Sequence, residues 1–368
     1  MMVYLDYASS TPVDEEVLKA YSRASLEYYN RISSSNDIGI RSNHLYSTSL
    51  GEIASLLGVN KEEIILTSGF DRNYDVLLDI INSNNSGRNR IIVSKLEDPY
   101  MYEFIRVLEK NGYVIDYVNN NEEGLIDLND LKDLINEHTY MVFISYVNGE
   151  LGIRQPIKSI KQSIKQEDSK VLLFSDLSYA FGRVNVSFKD IDIGMIISDN
   201  AYGIKGKGIV FKGKGLKITN KYSVDLPSIV ALAKMVEINM TYLVEWDKKV
   251  RDLNERIINK LRGYKGLLIN NNKYSIPHII SISLMNICTK NIIDSINDYE
   301  IYISNVNDNS DLSTSVMAVY GDKLRSLTSI RIGLSQLVSY KDIDYFLEVF
   351  DNIYYERGIN YEKDNDSF

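Results

Sequence analysis

Between Glu63 and Ser175 the chain alternates short apolar runs with amphipathic ones, and few architectures accept that pattern. Strands are predicted at Glu63–Thr67, Arg90–Ser94, Tyr113–Val118, Tyr140–Val147 and Val171–Ser175. Helices are predicted in the gaps, around Tyr74–Ile81 and at Tyr100–Lys110, Leu128–Glu137 and Ile157–Gln166. The strands are nearly continuous in apolar residues, as expected where helices cover both faces of a sheet. This alternation specifies an α/β fold with a mostly parallel sheet flanked by helices. Ligands of such sheets sit beyond the carboxyl ends of the strands. Thr67-Ser68-Gly69, Glu97-Asp98, Asn148, Asp176 and Asp199-Asn200 each follow a strand, so they are expected to converge on one crevice.

Upstream, Tyr4–Pro12 reads as a short strand ending in a turn, and Asp14–Tyr28 as a helix. Asn30–Asn43 is rich in Ser and Asn and reads as a loop. Ser49–Leu57 is a short helix closed by Gly58. Downstream, the period turns helical from Leu226 to Leu261, one long or broken helix leading away from the sheet. Strands near Ser275–Leu284 and at Ser329–Leu334, helices at Asn291–Asp298 and Lys341–Tyr355, and a polar loop at Asn305–Ser313 make a smaller α+β unit. The polar tail after Gly358 is expected to fray. At 368 residues two domains are expected, a large one at 14–245 and a small one from 1–13 and 246–368.

A net charge of −9 argues against a nucleic-acid surface. No window is apolar for long enough to span a membrane, and the N-terminus lacks the basic and apolar regions of a secretory signal. The single cysteine, Cys288, leaves no internal disulfide framework and no Cys-rich metal site. A cytoplasmic protein is expected.

Ile197–Gly208 reads ISDNAYGIKGKG and lies between the strands Ile193–Ile197 and Ile209–Phe211. It is not a phosphate-binding P-loop, because the spacing and the following Ser or Thr are wrong. Its Tyr202-Gly203-Ile204-Lys205-Gly206-Lys207-Gly208 resembles the Y-G-P-K-G-x-G of the NifS-type cysteine desulfurases. These belong to the class V, fold-type I family that uses pyridoxal phosphate (PLP). Other segments resemble that family in order. YLDYASSTPVD at Tyr4–Asp14 is similar to Y-L-D-x-A-A-T-T-P-V-D, and EIILTSG at Glu63–Gly69 to E-I-x-F-T-S-G. YVNGELG at Tyr146–Gly152 is similar to H-V-N-N-E-x-G, and SIRIGL at Ser329–Leu334 to S-I-R-x-S-L. The resemblance covers nearly the whole chain and implies a fold-type I PLP-transferase-like fold.

Fold is not function, so the site is carried over residue by residue. The resemblance places Asp176 against the PLP pyridine nitrogen, Asn148 near the ring hydroxyl, and Arg331 on the substrate carboxylate, a task its planar fork suits. The Schiff-base Lys falls on Asn200, or on Ala201 with a shift of one residue. The ring-stacking His falls on Asp98 and a Gln near the ring on Tyr179. The phosphate ligands fall on Asp71, Ile197, Asp199 and, from a partner subunit, Asp225. The stretch that would deliver the catalytic Cys, Ser304–Ser313, contains none. Two like charges about 4 Å apart repel by about 4 kcal/mol at an effective dielectric near 20. Three unpaired carboxylates would therefore disfavour a bound phosphate by roughly 10 kcal/mol.

The expectation is a degenerate desulfurase-like protein without PLP chemistry and with no metal. It would act by binding, as a scaffold or regulatory partner in sulfur transfer. It would be a homodimer, with an active desulfurase paralogue or a sulfur-acceptor protein as possible partner. One alternative is a PLP enzyme of altered chemistry that uses Lys205 or Lys207, although their glycine context reads better as a hairpin with solvated lysines. Another is PLP-independent binding of a small molecule in the same crevice, with Arg331 on a carboxylate and the acids on an amine or cation. Asp71, Asp98, Asp199 and Asp225 have the hard oxygens a cation site needs, but acids at a crevice rim are more often simply solvated.

Overall fold

A computed structural model describes residues 2–68, 70–222, 224–285, 289–305 and 312–365, and their side chains apart from 70–72 and 356–365. The first strand, β1 (Val3–Tyr4), is followed by α1 (Glu15–Glu27) and α2 (Asp37–Leu57). The alternating region then runs β2 (Ile64–Ser68), α3 (Phe70–Asn84), β3 (Arg90–Ser94), α4 (Pro99–Lys110), β4 (Val114–Val118), α5 (Leu128–Leu134), β5 (Thr139–Phe143), α6 (Ile157–Glu167) and β6 (Leu172–Asp176). It closes with β7 (Ile193–Ile197) and β8 (Lys207–Lys212). These strands form one seven-stranded sheet in the order β2-β8-β7-β6-β5-β3-β4. Only β8 runs antiparallel to its neighbours, so the sheet is mostly parallel, as the strand pattern requires. Central strands β5 and β7 are buried along their whole length, whereas the edge strand β4 exposes Val114 and Tyr117.

Two helices differ from the sequence reading. The Ser/Asn-rich stretch 30–43 is not all loop, because α2 starts at Asp37, where Asn36 caps it by accepting a hydrogen bond from the Gly39 N–H (2.9 Å). The poor helix formers there are held by tertiary packing, as α1 and α2 both lie along α7 (Leu226–Leu261). That packing outweighs local propensity. Helix α7 is unbroken over 36 residues; Asp225 caps it and Pro227 occupies its first turn.

The remaining elements are β9 (Leu267–Ile269), β10 (Ile279–Leu284), α8 (Thr289–Asn297), β11 (Ile301–Tyr302), β12 (Ser304–Asn305), α9 (Thr314–Tyr320), α10 (Lys323–Leu327), β13 (Ser329–Gly333) and α11 (Tyr340–Asn365). The sequence reading missed β9 and the short α9 and α10, and the last helix runs past Gly358 instead of fraying there. An antiparallel sheet β12-β13-β10-β9 organises this part. Its core joins Val3, Leu5 and Tyr7 to the second half of α7, to the inner faces of β10 and β13, and to α11. The N-terminal segment pairs with it through the parallel bridge of β1 to β11, so the first residues of the chain reach the mouth of the crevice from the C-terminal side.

Candidate active-site crevice

A cavity of about 380 Å³ opens beyond the carboxyl ends of β3, β6 and β7. Asp98 and Tyr100 reach it from the start of α4, and Asp176, Ser178 and Tyr179 from the end of β6 and the turn after it. Ile197, Asp199 and Asn200 come from the end of β7, with Gly206 just before β8 and Ser9 from the N-terminal segment. The convergence expected of Asp98, Asp176, Asp199 and Asn200 is therefore present. Thr67 and Ser68 do not join it; they line a separate cavity of about 990 Å³ between α3 and residues 219–222.

Three carboxylates face the smaller cavity, each held differently. Asp98 caps α4 through the Tyr100 N–H (3.1 Å) and accepts from the Tyr179 hydroxyl (3.2 Å). Asp176 accepts at Oδ1 from both the N–H (2.8 Å) and the hydroxyl (2.5 Å) of Ser178. Burial pushes its carboxyl up to about 6, against the pull of those Ser178 bonds and with help from nearby Asp98. Asp199 accepts at Oδ2 from the Gly206 N–H (2.9 Å). The Asn200 side chain, in a residue only 8% exposed, has no hydrogen-bond partner among the described residues.

Behind this lining stands a saturated polar frame. The Asn148 side chain donates to the Leu96 carbonyl (3.1 Å) and the Ser315 hydroxyl (2.9 Å), and accepts from the N–H groups of Glu150 (3.1 Å) and Leu151 (2.7 Å). It thus pins the turn after β5 to α9, and it has no free group for a ring hydroxyl, contrary to the role the resemblance assigns it. Glu150 accepts from the Ser313 hydroxyl (2.6 Å), the Thr314 hydroxyl (3.1 Å) and the Ser315 N–H (2.9 Å). Glu97 accepts from the N–H (2.9 Å) and hydroxyl (2.6 Å) of Ser145, and its burial raises its carboxyl to about 8.

The cations expected near the site are engaged by neighbouring groups of this chain. Arg331 donates to the Gly149 carbonyl (3.0 Å) and to the hydroxyls of Ser9 (2.6 Å) and Ser304 (3.3 Å), and lies 3.5 Å from Asp6; among the described residues only its Nε lacks a partner. Lys205 is exposed, as a solvated lysine would be, and Lys207 is partly buried, but both have partners. Lys205 Nζ donates to the Ser10 hydroxyl (2.6 Å) and to the carbonyls of Thr11 and Asp199, and burial lowers its pKa. Lys207 lies 3.5 Å from Asp225, whose carboxylate also caps α7 through the Ser228 N–H (2.9 Å). Asp199 and Asp225 therefore have partners within their own chain, which weakens the repulsion calculated from unpaired charges. The Asp71 side chain, Cys288 and residues 306–311 of the Ser304–Ser313 stretch lie outside the described residues. Among the described residues no three His, Cys, Asp or Glu side chains are placed to hold a metal.

One feature escaped the sequence reading. A Cβ on Gly149 would sit 2.5 Å from the Tyr179 ring, so the glycine makes room for that ring. The buried Arg183 guanidinium lies over the same ring, 5.9 Å from its centroid. Gly149 stands where the family motif has a second Asn and Tyr179 where it has a Gln, and a side chain at 149 would collide with the Tyr179 ring.

The Aminotransferase class-V family model matches residues 3–219. The chain belongs to this family. The class-V relatives include the cysteine desulfurase IscS of Clostridium botulinum (strain Kyoto / Type A2), 26% identical over 96% of this chain and 95% of that protein. A human cysteine desulfurase is 24% identical over 94% of this chain and 80% of its own length. Among solved structures, a NifS-like protein superposes with a TM-score of 0.89 at 25% identity, covering 96% of this chain and 99% of that one. The apo structure of the Thermococcus onnurineus cysteine desulfurase (TM-score 0.81, 15% identity, 96% and 94% coverage) shares the fold.

The class-V family is PLP-dependent. A bound PLP would be the electron sink, with Asp176 in the wall to meet the pyridine nitrogen. The rest of the described lining does not match such a guest. It contains no Lys, Arg or His, and it presents three Asp carboxylates to a cofactor whose phosphate is anionic.

Proposed function

We propose that this chain is a cysteine desulfurase-like protein that acts by binding, as a scaffold or regulatory partner in sulfur transfer, and not by PLP-dependent catalysis. The observation that supports this reading is Asn200: a buried amide in the crevice wall at the position that the resemblance assigns to the Schiff-base Lys. An amide cannot form an imine, and the nearby Lys205 Nζ is tied to Ser10 and Thr11. A homodimer, or a complex with an active desulfurase or a sulfur acceptor, would then be its working form.

A second reading has one observation in its favour. Burial makes Lys205 a better nucleophile than an ordinary lysine, and its neighbours Asp199 and Gly206 line the cavity. Titration with PLP followed by borohydride separates the two. The first reading expects no absorbance band of a protein-bound imine and no labelled peptide. A band that borohydride locks onto a peptide containing Lys205 or Lys207 overturns it.

A further inference from the structure

We propose that the crevice is a receptor for a small organic cation carrying a primary ammonium group, held by Asp176, Asp199 and Asn200. The inference rests on the reading of the crevice as a binding site that PLP does not occupy. Three acceptor atoms on the wall have no hydrogen bond among the described residues. They are Oδ2 of Asp176, whose Oδ1 serves Ser178, Oδ1 of Asp199, whose Oδ2 serves Gly206, and the amide oxygen of Asn200. Asp176 and Asn200 are only 7% and 8% exposed, and Asp199 is partly buried. A primary ammonium has three donors and no acceptor, which complements three open acceptors.

The shape of the cavity argues for an organic cation and not a metal. A volume of about 380 Å³ is at the small end of the range for small-molecule sites, and it exceeds roughly ten times the ~30 Å³ share of a water molecule. Tyr100, Tyr179 and Ile197 supply apolar and aromatic wall, and aromatic faces attract organic cations. No described set of three acids converges as metal ligands do. Burial that lifts Asp176 to about 6 still leaves it ionised in mildly alkaline buffer, where an alkylamine stays protonated.

Calorimetric titration of the full chain in low-salt buffer near pH 8 tests the proposal. The probes are n-butylamine and 1,4-diaminobutane, with 1-butanol and butyrate as neutral and anionic isosteres, and magnesium chloride as the inorganic alternative. The expected result is amine binding with a dissociation constant below about 1 mM, at least tenfold tighter than either isostere or magnesium. Asp176→Asn and Asp199→Asn should each weaken the amines about tenfold, the scale of one charged hydrogen bond. Should a variant fail to fold, the wild-type ratio of amine to alcohol decides alone. Equal binding of amine and alcohol, tighter binding of magnesium, or no heat with any probe overturns the proposal. PLP titration of the same sample keeps the two readings apart. Silence toward both amines and PLP removes only the cation site, whereas an imine on Lys205 or Lys207 removes the proposed function whatever the amines do.

Discussion

The wall of the crevice and the frame behind it use the same residue types and treat them in opposite ways. In the frame, Asn148, Glu97 and Glu150 are buried and every side-chain oxygen and amide is matched to a partner. In the wall, Asp176, Asp199 and Asn200 each keep an acceptor open. The frame fixes where the turns after β3 and β5 sit relative to α9, and it needs no ligand to do so. The residues that hold the shape are thus not the residues that line the cavity.

The largest expected effect lies in the frame and depends on pH. Glu97 is raised from 4.5 in the unfolded chain to about 8 by burial, and Asp176 from 3.8 to about 6. For a raised carboxyl, the native state binds the proton more tightly than the unfolded state. Its contribution is fully present below the unfolded value and is lost as pH climbs through the folded one. Stability should thus fall between about pH 4.5 and pH 8, with Glu97 contributing at most on the order of 5 kcal/mol. Glu97→Gln keeps an acceptor for the Ser145 N–H and removes the titration. Urea unfolding at both ends of that range should show the variant losing most of the slope and gaining stability at the alkaline end. An unchanged slope would mean that Glu97 is not the buried acid the frame requires.

Asn148 supplies the direct contrast. Asn148→Ala removes four hydrogen bonds and leaves two buried N–H groups and a carbonyl to find new partners. The expected cost is about 3 kcal/mol or more. Asn200→Ala removes an amide with no partner and should cost less than about 1 kcal/mol, or even stabilise. Equal losses in chemical denaturation would erase the distinction between frame and wall.

The sheet was legible because its strands are apolar on both faces, so period and length alone marked them. The start of α2 was not, since Ser34, Gly39 and Ser42 favour turns and the helix exists because it packs against α7. In the crevice, Asp98, Asp176, Asp199 and Asn200 could be placed from their positions after strands. What was not legible depends on side-chain direction. Asn148 turns into the protein, Lys205 reaches back to the N-terminal segment, and the Tyr179 ring uses the space left by Gly149, which lies 30 residues away in the chain. No local pattern reports such long-range contacts. The glycine standing in for an Asn in YVNGELG was the only trace, and it has meaning only beside Tyr179.

The smallest effect concerns Asp225, which belongs to neither set. The resemblance sends it into a partner's phosphate site, yet it caps α7 and pairs with Lys207, with its side chain half exposed. Asp225→Asn keeps an oxygen for the Ser228 N–H and removes the charge; an exposed ion pair of this kind is worth about 0.5 kcal/mol. Asp225→Ala also removes the cap and should cost about 1 kcal/mol. Thermal unfolding should rank the two in that order, with both far below Asn148→Ala. If the charge-only change proves the more damaging, the Lys207 pair is part of the structural frame, and the line between frame and wall must be drawn further out along β8.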